Sequence, residues 1–363
     1  MIQRRQTKKV YYGDVAIGGD SPVTVQSMTT TKTSDVKATV TQIHELEEVG
    51  CDIIRVAVPD QQSAEALPSI LKQIAIPLVA DIHFDYRLAL AAIDAGVQAL
   101  RLNPGNLRNP ESVQLVLKSA QAKKIPIRVG ANAGSIDHAW LDGLDDSLSR
   151  EERIAHGMAK GALQHIKILE NHNFTDIVVS LKASDVITTV IAYKLMAQQC
   201  DYPFHLGITE AGPLTQGTVK SSIGLGILLN EGIGDTIRVS LTDNPIHEVH
   251  VGRLILQSLG LRREFPEIVS CPTCGRCRIQ VIDIAKKVEK ALSTLKGNIK
   301  VAVMGCEVNG PGEARDADIG IAGGNGYGIL FKHGSVVGRV PEDKLIDVLL
   351  EEVKNILAEK GDI

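Results

Sequence analysis

A chain of 363 residues is too long for one ordinary α+β core and suits an α/β barrel followed by a smaller module. Its 44% hydrophobic and 23% charged residues, net charge of -4 and six cysteines exclude a disordered tail, a basic nucleic-acid-binding domain and a disulfide scaffold. Aromatics at 3% favour cores of Val, Ile, Leu and Ala, and no run of about 18 apolar residues offers a membrane span, so a soluble cytoplasmic chain is expected.

From about residue 23 to 262 the sequence alternates short apolar runs with amphipathic helical segments, the pattern of repeated βα units. Eight runs follow in order: TVQSMT (24–29), IIRVAV (53–58), PLVADIHF (77–84), ALRLNPGN (99–106), PIRVGANAGS (126–135), DIVVSLKAS (176–184), PFHLGITEAG (203–212) and TIRVSLT (236–242). Eight such strands without a Gly-rich dinucleotide fingerprint predict a TIM (β/α)8 barrel rather than an open doubly wound sheet.

Most of these runs begin apolar and end polar, as barrel strands do where their C-terminal ends open into an active site. The polar ends carry Arg55; Asp81 and His83; Arg101 and Asn103; Arg128 and Asn132; Ser180, Lys182 and Ser184; His205, Thr209 and Glu210; Arg238, Ser240 and Thr242. Singly, each has a bland reading as a strand-end ion pair or helix cap. Four arginines and a lysine converging on one mouth would repel each other without an anion between them, so a phosphorylated or polycarboxylate ligand is implied. The long connection after the fifth run holds Trp140, the single tryptophan, and fits both a lid over the mouth and a surface elaboration.

The barrel pattern stops within LGLRREFPEIVSC, dividing the chain into residues 1–262 and 263–363. A smaller α/β module follows. Val281, Ile284, Ala285, Val288, Ala291, Leu292 and Leu295 share one helix face; strand-like runs IKVAVMG, ADIGIAG, YGILF and SVVGRV come next; Pro341 is expected to open a last helix.

This module carries SCPTCGRCR, with Cys271, Cys274 and Cys277 on a three-residue pitch, and Cys306 in GCEVNGPGEA. A structural zinc would need Cys277 as fourth ligand, and a redox dithiol lacks its surrounding βαβ unit. An iron–sulfur cluster fits the C-x2-C-x2-C spacing better, with Glu313 as an oxygen donor close in sequence to Cys306. Cys51 and Cys200, at predicted helix ends in apolar company, read as buried structural thiols.

The motifs SCPTCGR, MGCEVNGPGEA and GGNGYGILFKHG, behind VQSMT, VADIHF, LRLNPGN and RVGANAGS, resemble the 4-hydroxy-3-methylbut-2-enyl diphosphate synthase family of the methylerythritol phosphate route to isoprenoids, in its bacterial two-domain form. The resemblance covers nearly the whole chain. It implies reductive ring opening and dehydroxylation of 2-C-methyl-D-erythritol 2,4-cyclodiphosphate, with electrons entering singly from ferredoxin or flavodoxin through a [4Fe-4S] cluster. It further implies Cys271, Cys274 and Cys306 as thiolate ligands and Glu313 as a carboxylate that substrate displaces. Arg55, Arg101, Arg128, Asn132, Lys182, Arg238 and Ser240 would hold the diphosphate, and Glu210 would serve as acid. Cys277 departs from the family pattern and reads as a bystander. A head-to-tail homodimer is implied as well. The competing expectation is a phosphate-ligand-binding barrel transferase with a structural zinc tail.

Overall fold

The structure is a computed structural model that describes residues 2–107, 109–293, 295–308, 312 and 314–361, without the side chains of Ser135 and His138. The chain forms two compact units, one ending at Arg262 and the other beginning at Arg263.

The first unit opens with a hairpin of β1 (Val10–Tyr12) and β2 (Val15–Ile17). Eight parallel strands follow: β3 (Thr24–Met28), β4 (Ile53–Ala57), β5 (Leu78–Asp81), β6 (Ala99–Arg101), β7 (Ile127–Asn132), β8 (Ile177–Lys182), β9 (His205–Leu206) and β10 (Thr236–Ile237). Their order, β8-β7-β6-β5-β4-β3-β10-β9, is that of a TIM barrel, and a parallel bridge between Val179 and Phe204 brings its ends together. The last two strands are two residues each, shorter than the runs at 203–212 and 236–242 suggested. Beyond Leu206 and Ile237 the backbone leaves the ladder, and the polar residues there sit on loops.

Helices α1 (Val36–Glu48), α2 (Gln61–Leu71), α3 (Tyr86–Ala95), α4 (Pro110–Ala122), α5 (Arg150–Glu170), α6 (Val186–Ala197), α7 (Leu214–Asn230) and α8 (Pro245–Ser258) form the outer ring. Seven of them start at an Asp, Asn or Ser whose side chain accepts an orphan amide of the first turn: Asp35, Asp60, Asp85, Asn109, Ser149, Asp185 and Asn244. Each such cap is worth about 1 kcal/mol and fixes where a strand-to-helix loop ends. Helix α7 follows Pro213 and has no side-chain cap.

Strand alternation sorts the barrel residues into two environments. Outward residues such as Val25, Ile54, Leu78, Leu100, Ile127, Val179 and Leu206 pack beneath the helices in one large apolar cluster. Inward residues at the lower end, Ile53, Val79, Ala99 and Val178, pack against Val10, Tyr12 and Ile17 of the hairpin, which plugs the floor. Above that plug the interior turns polar.

In the second unit, β11 (Glu267–Ser270), β12 (Lys300–Met304), β13 (Ile319–Gly323), β14 (Tyr327–Lys332) and β15 (Ser335–Pro341) form a sheet in sequence order, its first three strands parallel and its last two antiparallel additions. Helices α9 (Val281–Leu292) and α10 (Leu345–Lys360) cover one face through Val281, Ile284, Val288, Leu292, Leu345, Leu349, Val353 and Leu357. The other face carries Ala302, Met304, Ala322 and Phe331 beneath Ala314 and Ala317. Pro341 ends β15 opposite Tyr327, where a strand end tolerates the missing amide, and also caps the single 3-10 turn, Glu342–Lys344, that leads directly into the last α-helix at Leu345.

Candidate active site

The polar interior of the barrel is built from every second residue of its strands. From β3 come Gln26 and Met28, from β4 Arg55, from β5 Asp81, from β6 Arg101, from β7 Arg128, from β8 Lys182 and from β9 His205, while Arg238 follows β10 directly. Arg128 is 1% exposed and donates to Gln26 Oε1 at 2.7 Å; its Nε has no partner among the described residues. Arg55 lies 3.7 Å from Asp81 and donates to the Met28 thioether at 3.1 and 2.9 Å. Arg101 reaches the other Asp81 oxygen at 3.3 Å and His83 at 3.4 Å. Arg238 forks onto both oxygens of the buried Glu248, 3.3 Å each, and Glu248 also accepts from Ser27 Oγ and the Leu241 amide.

Four guanidinium groups and the Lys182 amine therefore face two carboxylates. Burial pushes the Asp81 carboxyl up, but the His83 hydrogen bond and the charges of Arg55 and Arg101 outweigh it and hold the group well below the usual carboxylate range. Burial, then the neighbouring charges of Arg128 and Arg238, drive Arg55 down, and burial does the same to Arg128. A guanidinium keeps its proton in proteins, so for these two the strain is stored as repulsion awaiting an anion. Lys182, pushed well down by burial and then by Arg128, Arg55, Arg238 and Arg101, has a second way out, since an amine can release its proton. His205, completely buried, is held neutral by burial and then by the neighbouring basic groups; its Nε2 has no partner among the described residues.

The remaining barrel candidates sit higher. Ser240 is half-buried on the loop after β10, and Asn132 is exposed at the end of β7. Glu210 is exposed and holds φ +51°, a left-handed conformation that a non-glycine residue adopts only where its surroundings impose it. Gln26, Met28 and Glu248 were not singled out from sequence. The alternation within TVQSMT places the first two inward, whereas Glu248, in the first turn of α8, has no signal in the sequence.

Trp140 lies on α5. Its Nε1 donates to Gln164 at 2.9 Å, its ring meets His165 edge-on at 6.2 Å, and a side chain at Gly161 would collide with it. Burial pushes the His165 imidazole down to about 4, and its Nδ1 has no partner.

In the second unit the cysteines gather at the C-terminal ends of two parallel strands. The register that pairs Ser270 with Val303 sets Cys271 beside Gly305, whose amide donates to Cys271 Sγ at 3.1 Å. A Cβ on Gly305 would stand 2.5 Å from Cys277 Sγ and 3.5 Å from Cys271 Sγ, so the missing side chain leaves the space the two sulfurs border. Cys306, 6% exposed, is the next residue. Cys274 is exposed, and the Arg276 backbone amide is the main cause lowering its thiol, which favours thiolate. Among the described residues no three His, Cys, Asp or Glu side chains converge as ligands of one ion would. A cubane places its thiolates on separate irons and spreads them wider, so this donor set with a backbone N–H aimed at sulfur fits an iron–sulfur cluster. Glu313 lies outside the described residues. Cys51 is buried, its thiol pushed up to about 12 by burial; Cys200 is half-buried rather than enclosed.

Residues 7–253 match the family model described as the GcpE TIM-barrel domain, and residues 267–355 match the GcpE protein C-terminal domain. The chain belongs to the GcpE family. Among curated GcpE relatives, it is 55% identical to the 4-hydroxy-3-methylbut-2-en-1-yl diphosphate synthase (flavodoxin) of Clostridium tetani, over 98% of this chain and 100% of that one. The synthases of the same name from Clostridium acetobutylicum and Lawsonia intracellularis are 54% and 52% identical, each over 98% of this chain and over 100% and 98% of their own lengths. Residues 254–266 lie between the two matched spans.

Proposed function

We propose that this chain is an oxidoreductase that opens 2-C-methyl-D-erythritol 2,4-cyclodiphosphate reductively to 4-hydroxy-3-methylbut-2-enyl diphosphate in isoprenoid precursor synthesis, with flavodoxin or ferredoxin as electron donor. The observation that carries the reading is the surplus of buried cations at the barrel mouth, which a diphosphate satisfies, in a chain over half identical to named synthases along its whole length.

In this reading Arg55, Arg101, Arg128, Lys182 and Arg238 take the diphosphate oxygens, with Ser240 and Asn132 closing the rim. Planar guanidinium forks suit phosphate oxygens, and groups already fixed by Asp81, Glu248 and Gln26 need little reorganisation to receive them. Glu210 protonates the departing hydroxyl, which leaves badly as hydroxide. Cys271, Cys274 and Cys306, with Glu313, hold a [4Fe-4S] cluster, and Cys277 stays outside the ligand set. When bound, the cluster supplies single electrons and a Lewis-acidic iron open to a substrate oxygen. Diphosphate ligands on one unit and redox ligands on the other support a head-to-tail homodimer in which each chain completes its partner's site. No helix among the described residues is long and apolar enough to cross a membrane, and free thiols suit the reducing cytoplasm.

The test is anaerobic. The purified chain should be brown, and with reduced flavodoxin it should convert the cyclic diphosphate to the allylic one; a colourless, zinc-loaded protein without that turnover sinks the proposal. Glu210→Gln should keep the colour and bind the cyclic diphosphate while turnover falls by about 10²-fold or more. Unchanged turnover in that variant removes Glu210 from the reaction.

A further inference from the structure

The mouth holds a charge count that one protonation state cannot match throughout the reaction. Arg55, Arg101, Arg128 and Arg238 supply four fixed positive charges, and Asp81 and Glu248, each bonded to those arginines, supply two negative ones, leaving +2 before Lys182 is considered. A diphosphate esterified at both ends is a dianion. Once one ester bond is broken its terminal phosphate can ionise a second time, with a pKa of about 6, and the ligand becomes a trianion.

Lys182 is placed to supply the difference. It projects from the end of β8 into the interior and is 8% exposed. Its amine lies across Gly207, 3.2 Å from where a Cβ would stand, so the absent side chain makes its room. The charged groups facing it come from four other parts of the barrel: Arg128 on β7, Arg55 on β4, Arg101 on β6 and Arg238 after β10, with neutral His205 on β9. Both carboxylates of the mouth are bonded to arginines, and Lys182 has no ion pair or hydrogen bond among the described residues. His205 does not compete for the role, because its ordinary range lies well below that of an amine and it is fully enclosed.

We propose that Lys182 is the charge-matching residue of this site: it stands as a neutral amine beside the cyclic dianion and binds one proton when ring opening turns the ligand into a trianion. The inference rests on the diphosphate reading above. The reaction balances without this proton. The bond between the methyl-bearing carbon and the phosphate oxygen breaks with its electron pair going to oxygen, and the hydroxyl on the adjacent carbon leaves with one proton as water. Two electrons from flavodoxin form the carbon–carbon double bond. A dianion, two electrons and one proton thus give a trianion and water. The proton on Lys182 is additional; it enters from solvent and leaves with the product.

The test uses the full-length, cluster-loaded chain in its oxidised state, where no turnover occurs. Calorimetric titration at about pH 8.5, where the free open diphosphate is fully ionised, in two buffers of different ionisation enthalpy, reads protons taken up per ligand bound. The open allylic diphosphate should take up about one proton more than the cyclic diphosphate. Lys182→Met should abolish that difference and weaken the open ligand about tenfold more than the cyclic one. Lys182→Arg, permanently charged, should abolish the difference while keeping the open ligand tight. Equal uptake for both ligands in the unaltered chain, or a difference that survives Lys182→Met, overturns the inference. Failure of either ligand to bind the unaltered chain overturns the diphosphate reading instead.

Discussion

The barrel mouth and the cysteine turn both sit at the C-terminal ends of parallel strands, yet they are organised in opposite ways. In the mouth, the side chains spring from the strands themselves, and partners such as Asp81, Glu248, Gln26 and Met28 hold four of its cations before any ligand arrives. In the cysteine turn, the donors lie past the ends of β11 and β12, on loop residues ranging from the buried Cys306 to the exposed Cys274. The first site stores repulsion in a rigid frame and releases it onto an anion. The second leaves its cysteines on loops, where a bound group would supply the final geometry.

The largest expected effect breaks the second region and spares the first. Gly305→Ala puts a methyl group where Cys277 Sγ and Cys271 Sγ border open space, so iron content and visible absorbance should collapse and turnover fall by about 10²-fold or more, while the barrel still binds the cyclic diphosphate. Iron content equal to that of the unaltered chain would show that the turn does not need this space. Arg128→Met does the reverse. Affinity for the cyclic diphosphate should drop by about 10²-fold through loss of a charge-assisted contact, with the cluster spectrum unchanged. Urea unfolding should show a chain equally stable or about 1 kcal/mol more stable, since a buried cation without a carboxylate leaves the interior.

The smallest effect on turnover is expected at His165, which meets Trp140 edge-on and bears on stability alone. Its folded value of about 4 lies below the ordinary range, so between the two the unfolded chain binds the extra proton. Stability from this residue is complete above about pH 6.5 and is lost as pH falls toward 4, on the order of 3 kcal/mol in all. His165→Gln should flatten the urea midpoint across that window; an unchanged pH slope would show that His165 is not its source.

The sequence made the barrel legible because period-two strands separated by capped helices leave a repeated trace, and because Arg55, Arg101, Arg128, Lys182 and Arg238 occupy the polar ends of those runs. It could not show Glu248 as the partner of Arg238, since a carboxylate in the first turn of a helix reads as an ordinary dipole partner. Nor did it show the hairpin around Gly13 and Asp14, where two three-residue strands fall below the length at which alternation is persuasive. Pro341 does mark the approach to the last helix, but it also ends β15 opposite Tyr327, a pairing that a proline before a helical pattern does not announce. The cysteine spacing announced its chemistry, whereas the part played by Gly305 required knowing that Ser270 pairs with Val303.

The β1–β2 hairpin gives the barrel one closed end. With Val10, Tyr12 and Ile17 seated against the lowest ring of the strands, the interior is a blind vessel with a single doorway. A ligand of the polar interior would therefore enter and leave at the opposite end. On the proposed reading the spent ligand has to depart before its successor can enter, so product should inhibit competitively with the cyclic diphosphate.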